Sequence, residues 1–74
     1  MNNKEYYINR IQMDDLIAIS FMQEDKEDVL SENEVIKRIH SVLVHAGVPE
    51  DHEDLTEIWD YVEVRGRELA YGIN

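Results

Sequence analysis

The chain has 74 residues, of which 17 are Asp or Glu and 7 are Lys or Arg, for a formal net charge of −10 at pH 7. A chain of this length has room for one hydrophobic core, so a single domain is expected. The excess of carboxylates opposes direct binding to nucleic acid or to anionic membranes and favours a partner with a basic surface. Cysteine is absent, which excludes disulfides. The N-terminal residues lack the apolar run of a secretory signal, and a cytoplasmic location is expected.

Residues 4–23 form the first predicted helical region, and its continuity is open. In one continuous helix five apolar residues share a face: Ile8, Ile11, Ala18, Ile19 and Met22. Asp15 falls inside this stripe, so the region is either one helix that is apolar on two faces or two helices broken near Asp14, which would cap the second. The alternation of Ile17, Ile19 and Phe21 also fits a strand. On balance the pattern favours helix.

The helix predicted over residues 32–46 has the clearest start, periodicity and end. Ser31 followed by Glu34 is typical of a capping box, in which the hydroxyl accepts one backbone N–H and the carboxylate reaches back to another. Gly47 stands where a left-handed residue ends a helix. The apolar residues in between follow helical spacing: Val35, Ile36, Ile39, Val42, Leu43 and Ala46.

A further helix is predicted over residues 54–71. Asp54 followed by Glu57 offers a second capping box, although Pro49 would also suit an earlier start. Seven residues fall on one face of this helix: Leu55, Ile58, Trp59, Val62, Gly66, Leu69 and Ala70. Gly66 on that face either lets another element approach closely or marks a kink.

These patterns predict an all-α fold, a small bundle of three main helices at about residues 4–23, 32–46 and 54–71, with a break near residue 14 left open. The predicted core consists of nine residues: Val35, Ile39, Val42, Leu43, Leu55, Ile58, Trp59, Val62 and Leu69. A core of this size gives limited stability, and small proteins without disulfides or metals often associate. Self-association as a homodimer is therefore a further expectation.

No pattern in the sequence indicates catalysis, a cofactor or a metal. His40 and His45 lie about 140° apart around a helix, without the i, i+4 spacing of a zinc pair, and the three histidines are expected to be ordinary surface or boundary residues. The acidic connector 24–28 does not match a calcium-binding loop, because apolar residues stand where ligands and glycine are needed. There is no glycine-rich phosphate loop and no serine with a supporting histidine. A binding protein is expected, and an enzyme is not.

Acidic residues concentrate between Glu50 and Glu63, where seven fall within fourteen residues without any Lys or Arg among them. The helix macrodipole favours acids near a helix start but does not account for those further along. On a helix, six residues fall opposite the apolar stripe, and we call them the acidic face: Glu53, Glu57, Asp60, Val64, Glu68 and Tyr71. It is either a solvated face that keeps the domain soluble or a surface that docks into a basic groove of a partner.

Apolar side chains ringed by charge, as Val64 and Tyr71 are on the acidic face, are typical of binding surfaces. The sequence therefore favours protein–protein binding, by a small regulator or inhibitor that acts through the acidic face on a basic partner protein. From its size and lack of cysteine, a bacterial or phage origin is expected. Two alternatives remain open. One is a nucleic-acid mimic that presents carboxylates as phosphates to a DNA- or RNA-binding protein, and the other is a structural subunit of a larger assembly.

Overall fold

The computed structural model describes residues 2–21 and 30–71, which form four helices and no strand: α1 (Lys4–Met13), α2 (Leu16–Phe21), α3 (Glu32–Ala46) and α4 (Leu55–Tyr71). The predicted all-α fold is confirmed. The helix predicted at 32–46 has the predicted bounds, and the one predicted at 54–71 begins one residue later. The end of the first predicted region, at residues 22–23, and the acidic connector 24–28 lie outside the described residues. Within the described ranges no helix is long and apolar enough to cross a membrane.

α3 begins and ends through interactions of its own terminal residues. The Ser31 hydroxyl accepts the N–H of Glu34 at 3.2 Å, which satisfies one of the unpaired N–H groups of the first turn. The Glu34 carboxylate lies 3.8 Å from Arg38, and no return bond to Ser31 is present among the described residues. Gly47 has a φ of 79°, and the N–H groups of Gly47 and Val48 both donate to carbonyls of the last turn at 3.0 Å. This Schellman arrangement favours glycine because other side chains are strained there.

The first predicted region is two helices, separated at Asp14 and Asp15. The N–H of Asp14 donates to the Arg10 carbonyl at 3.0 Å and ends α1, while Asp15 has a φ of 51°. Aspartate enters this left-handed region more readily than most residues other than glycine. The expected cap is corrected accordingly, since Asp14 closes the first helix instead of opening the second. The first turn of α2 instead begins with the Asp15 carbonyl, which accepts the N–H of Ile19 at 3.0 Å.

The turn at Asp15 changes which side of α2 faces the core. Ile17 and Phe21, which lie off the main stripe of a continuous helix, are buried together with Ile11 of α1. Ile19, which belongs to that stripe, is 72% exposed. A single helical wheel therefore fails for this segment, because its two halves do not share an axis.

Of the nine predicted core residues, six are buried: Val35, Ile39, Val42, Leu43, Ile58 and Val62. Leu55 and Trp59 are half-buried and pack against the edge of the core. The prediction for Leu69 is wrong, since this side chain is 38% exposed. The buried line of α4 continues from Val62 to Gly66 and Ala70, at a spacing of four residues, and Leu69 lies beside that line.

Gly66 allows α2 to approach α4 closely, and α4 continues through it without interruption. The Phe21 ring is fully buried against this glycine, and a Cβ atom placed on Gly66 would lie 2.5 Å from the ring. Of the two roles predicted for Gly66, close approach is the one observed. The contact explains why a residue with poor helix propensity occupies the interior of α4.

The His52 side chain connects the N-terminal residues to the loop that precedes α4 through two hydrogen bonds. It is 5% exposed, its Nε2 donates to the Asn2 carbonyl at 2.6 Å, and its Nδ1 accepts the N–H of Asp54 at 2.9 Å. These partners assign the tautomer with the proton on Nε2, because the backbone N–H of Asp54 needs the lone pair of Nδ1. The edge of Tyr7 packs on the ring, with 5.4 Å between centroids. The expectation of a surface or boundary residue is wrong for His52.

Candidate protein-binding surface

The acidic face lies along the side of α4 that is turned away from the core and along the loop before this helix. Glu53, Asp60 and Val64 are exposed there, Val64 by 57% of its surface. Neither Glu53 nor Asp60 forms an ion pair with any residue that the structure describes. An apolar side chain and two uncompensated carboxylates therefore share this part of the surface.

The other two carboxylates of the acidic face are compensated by neighbouring cations. Glu57 forms an ion pair with Lys4, which ties the start of α1 to α4. The hydrogen bond and the charge of Glu57 raise the pKa of Lys4 above its ordinary value of 10.5. Glu68 forms an ion pair with Arg65, three residues earlier on the same helix. The face is therefore less negative at Glu57 and at Glu68 than the sequence alone indicates.

Tyr71 does not lie on the acidic face as an exposed anchor. It is half-buried and packs against the core, and its hydroxyl is buried without a hydrogen-bond partner among the described residues. A helical wheel gives a direction around one axis, but it does not account for other parts of the chain that lie against the last turn. Of the two predicted apolar anchors, Val64 is the one that is exposed.

The loop between α3 and α4 is the most strongly acidic part of the described surface. Four carboxylates stand between positions 50 and 54: Glu50, Asp51, Glu53 and Asp54. None of them is ion-paired within residues 2–21 and 30–71. All but Asp54 are exposed. Because none of these four carboxylates is ion-paired there, the negative potential of the loop extends into the solvent.

A groove beside this loop lies between the end of α3 and the first turns of α4. It has a volume of about 180 Å³. Its apolar lining comes from five residues and its polar lining from two: Leu43, Val44, Val48, Leu55 and Trp59, with His40 and Glu50. Val44 is 60% exposed, although it stands on a well-formed amphipathic helix. This groove was not predicted. Its signal in the sequence is Val44, an apolar residue opposite the stripe of α3.

A second, larger cleft of about 440 Å³ separates the α1–α2 turn from α4. Its apolar lining includes Ile11, Ile17 and Leu69, and its polar lining carries both signs of charge, from Asp15 and Arg65. Met13 and Ile19, on the same two short helices, are 83% and 72% exposed. These apolar side chains are compatible with the expected homodimer, which stays a prediction.

Within the described residues no three side chains of His, Asp or Glu converge as ligands for a metal ion. The sequence matches no protein-family model, and it has no significant match among curated proteins or among solved structures. The chemistry of the surfaces is therefore the basis on which a function is proposed.

Proposed function

We propose that this protein is a small regulator or inhibitor that binds a basic partner protein through its acidic face. The observation that carries the proposal is the exposure of Val64 beside Asp60, on a helix whose opposite side supplies the core. An exposed valine contributes little to the fold, whereas burying such a side chain against a partner stabilises a complex by about 1.5–3 kcal/mol.

Glu53, Asp60 and the acidic loop would act differently from Val64. Surface carboxylates attract a basic partner over a distance of about 10 Å at 0.1 M salt, and they mainly raise the rate of association. A desolvated apolar contact mainly slows dissociation. The proposal therefore assigns the association rate to the carboxylates and the lifetime of the complex to Val64.

The ion pairs of Glu57 and Glu68 favour this proposal over nucleic-acid mimicry. A mimic needs a series of bare negative charges, as on a phosphate backbone. Half of the predicted row is instead compensated by cations of this chain. A basic protein surface needs only some bare carboxylates together with an apolar contact.

The test changes two residues of the acidic face that take part in none of the described ion pairs. Tagged parent protein, Val64→Asp and Asp60→Lys are used to retain proteins from the source lysate, and binding constants are then measured for any protein that the parent retains. Glu57→Lys is unsuitable, because it also breaks the ion pair with Lys4. Glu32→Lys is the control, since Glu32 is exposed on α3 and changes the net charge by the same amount as Asp60→Lys.

We expect Asp60→Lys to slow association, by a factor that shrinks as salt is added, and Val64→Asp to weaken binding at least about tenfold through faster dissociation. The control should bind as the parent does. A partner that binds all three variants with the constants of the parent would show that the acidic face is only solvated.

A further inference from the structure

We infer that the groove between α3 and α4 is an anchor site for a basic, amphipathic segment of a partner protein, and that it takes one side chain of the size of leucine or phenylalanine. The inference rests on the proposed function in one respect, namely that the partner is a basic protein. It adds a second surface, which lies on the α3 side of α4 and does not include Val64.

The size of the groove fits a single side chain. A cavity of about 150 Å³ holds a benzene ring, and pockets for drug-sized ligands are about 300–1,000 Å³. The groove, with its volume of about 180 Å³, lies at the lower end of this scale. Leu43 is buried and Leu55 and Trp59 are half-buried, while Val44 remains 60% exposed. The lining is thus partly fixed in the core and partly available to a partner.

Beyond the groove, exposed side chains continue along the outer side of α3. Ile36 is 45% exposed, Val44 is 60% exposed, and His40 lies exposed between them at a spacing of four residues from each. Two helical turns separate Ile36 from Val44, a rise of about 12 Å. The strip is thus apolar at its two ends, with an imidazole between them and the exposed Lys37 next to Ile36. A short amphipathic helix laid along it would make contacts through residues spaced three or four apart.

The charge around the groove selects a basic occupant. Glu50 lines it, and Asp51, Glu53 and Asp54 follow in the same loop. No Lys or Arg occurs between Arg38 and Arg65, the stretch that supplies every lining residue of the groove. At this acidic groove a second copy of this chain, which carries a net charge of −10, would be repelled, and so would nucleic acid. A segment rich in Lys or Arg would be attracted.

The chain contains a single tryptophan, and Trp59 lines the groove, so its fluorescence reports directly on occupancy. The probe is a synthetic amphipathic peptide of leucine and lysine without aromatic residues. Two control peptides are matched to it, one with every lysine replaced by glutamate and one with every leucine replaced by serine. The full-length protein is titrated with each of the three at low and at moderate salt.

We expect the leucine–lysine peptide to change the Trp59 emission saturably, with an affinity that falls as salt is added, and the glutamate peptide to leave it unchanged. The serine peptide should bind, if at all, without shifting the emission. The inference is overturned if the leucine–lysine peptide produces no saturable change. It is equally overturned if the glutamate peptide binds as well, or if the serine peptide shifts the emission in the same way.

Two matched variants separate this inference from the proposed function. Val44→Ser and Val64→Ser each remove an exposed valine methyl surface without changing charge, one at the groove and one on the acidic face. Val44→Ser should weaken binding of the leucine–lysine peptide about fivefold, and Val64→Ser should leave this binding unchanged. With the natural partner, a loss confined to Val64→Ser would uphold the acidic face and refute the groove. A loss of affinity confined to Val44→Ser would uphold the groove and refute the acidic face.

Discussion

α3 and the α1–α2 segment contain nearly the same number of helical residues but are determined in different ways. α3 has 15 residues, and α1 and α2 have 10 and 6. The start, the buried stripe and the end of α3 are all fixed by residues inside it or next to it. The position of the α1–α2 segment depends on residues about fifty positions away, through the Asn2–His52 hydrogen bond and the Lys4–Glu57 ion pair.

The difference follows from helix length and from the break at Asp15. Isolated helices shorter than about 12–15 residues are marginal in water, so α1 and α2 need tertiary contacts to persist. Those contacts also choose which side of α2 is buried, since the Phe21 ring packs on Gly66 of α4. When distant contacts determine how a segment packs, the apolar pattern within that segment is weaker. Predictions of its helices and buried side from that pattern are then less accurate.

The largest expected effect comes from breaking the contact between α2 and α4. Gly66→Leu places a side chain where the Phe21 ring lies, and overpacking of this kind in a filled core should lower the free energy of unfolding by about 3 kcal/mol. Urea denaturation followed by circular dichroism measures the loss. In a Phe21→Ala background the added leucine has space, so its cost should largely disappear. The same cost in both backgrounds would show that α2 does not dock through this contact.

The sequence was sufficient for elements whose determinants are local. Ser31 and Gly47 set the bounds of α3, and the position of Val64 opposite the apolar stripe of α4 correctly predicted its exposure. These predictions succeed because a cap or a helical face involves only neighbours along the chain. The exposure of Asp60 and Val64 on the candidate surface was predictable for the same reason.

The remaining features depend on how helices meet. Leu69 and Tyr71 were misplaced, since their exposure depends on how the rest of the described chain packs beside α4. The groove needs α3 and α4 to be positioned together before Val44 and Trp59 become neighbours in one lining. His52 is buried where Asn2 and Tyr7, both distant in the sequence, lie against it. Nothing local distinguishes it from an exposed histidine.

A smaller effect is expected from releasing the N-terminal residues at His52. His52→Ala leaves the Asp54 N–H and the Asn2 carbonyl without their partner, which should cost about 2 kcal/mol of unfolding free energy. His45→Ala is the control, because His45 is exposed and, within the described residues, bonds to the Ser41 carbonyl of its own helix; it should cost less than about 0.5 kcal/mol. Thermal or urea denaturation compares the two. Equal losses would mean that the α1–α2 segment does not depend on the His52 contact.

The smallest effect concerns the one feature that both regions share, a helix start capped by a side chain. Ser31 caps α3 and Asn3 caps α1, each by accepting an N–H three residues on, at 3.2 and 3.0 Å. Ser31→Ala and Asn3→Ala should each cost about 1 kcal/mol, and the corresponding glycine variants only a few tenths. Equal costs of the two alanine variants would mean that the two regions differ in their buried faces and not in their caps. A denaturation midpoint unchanged by Ser31→Ala would refute the local determination of α3.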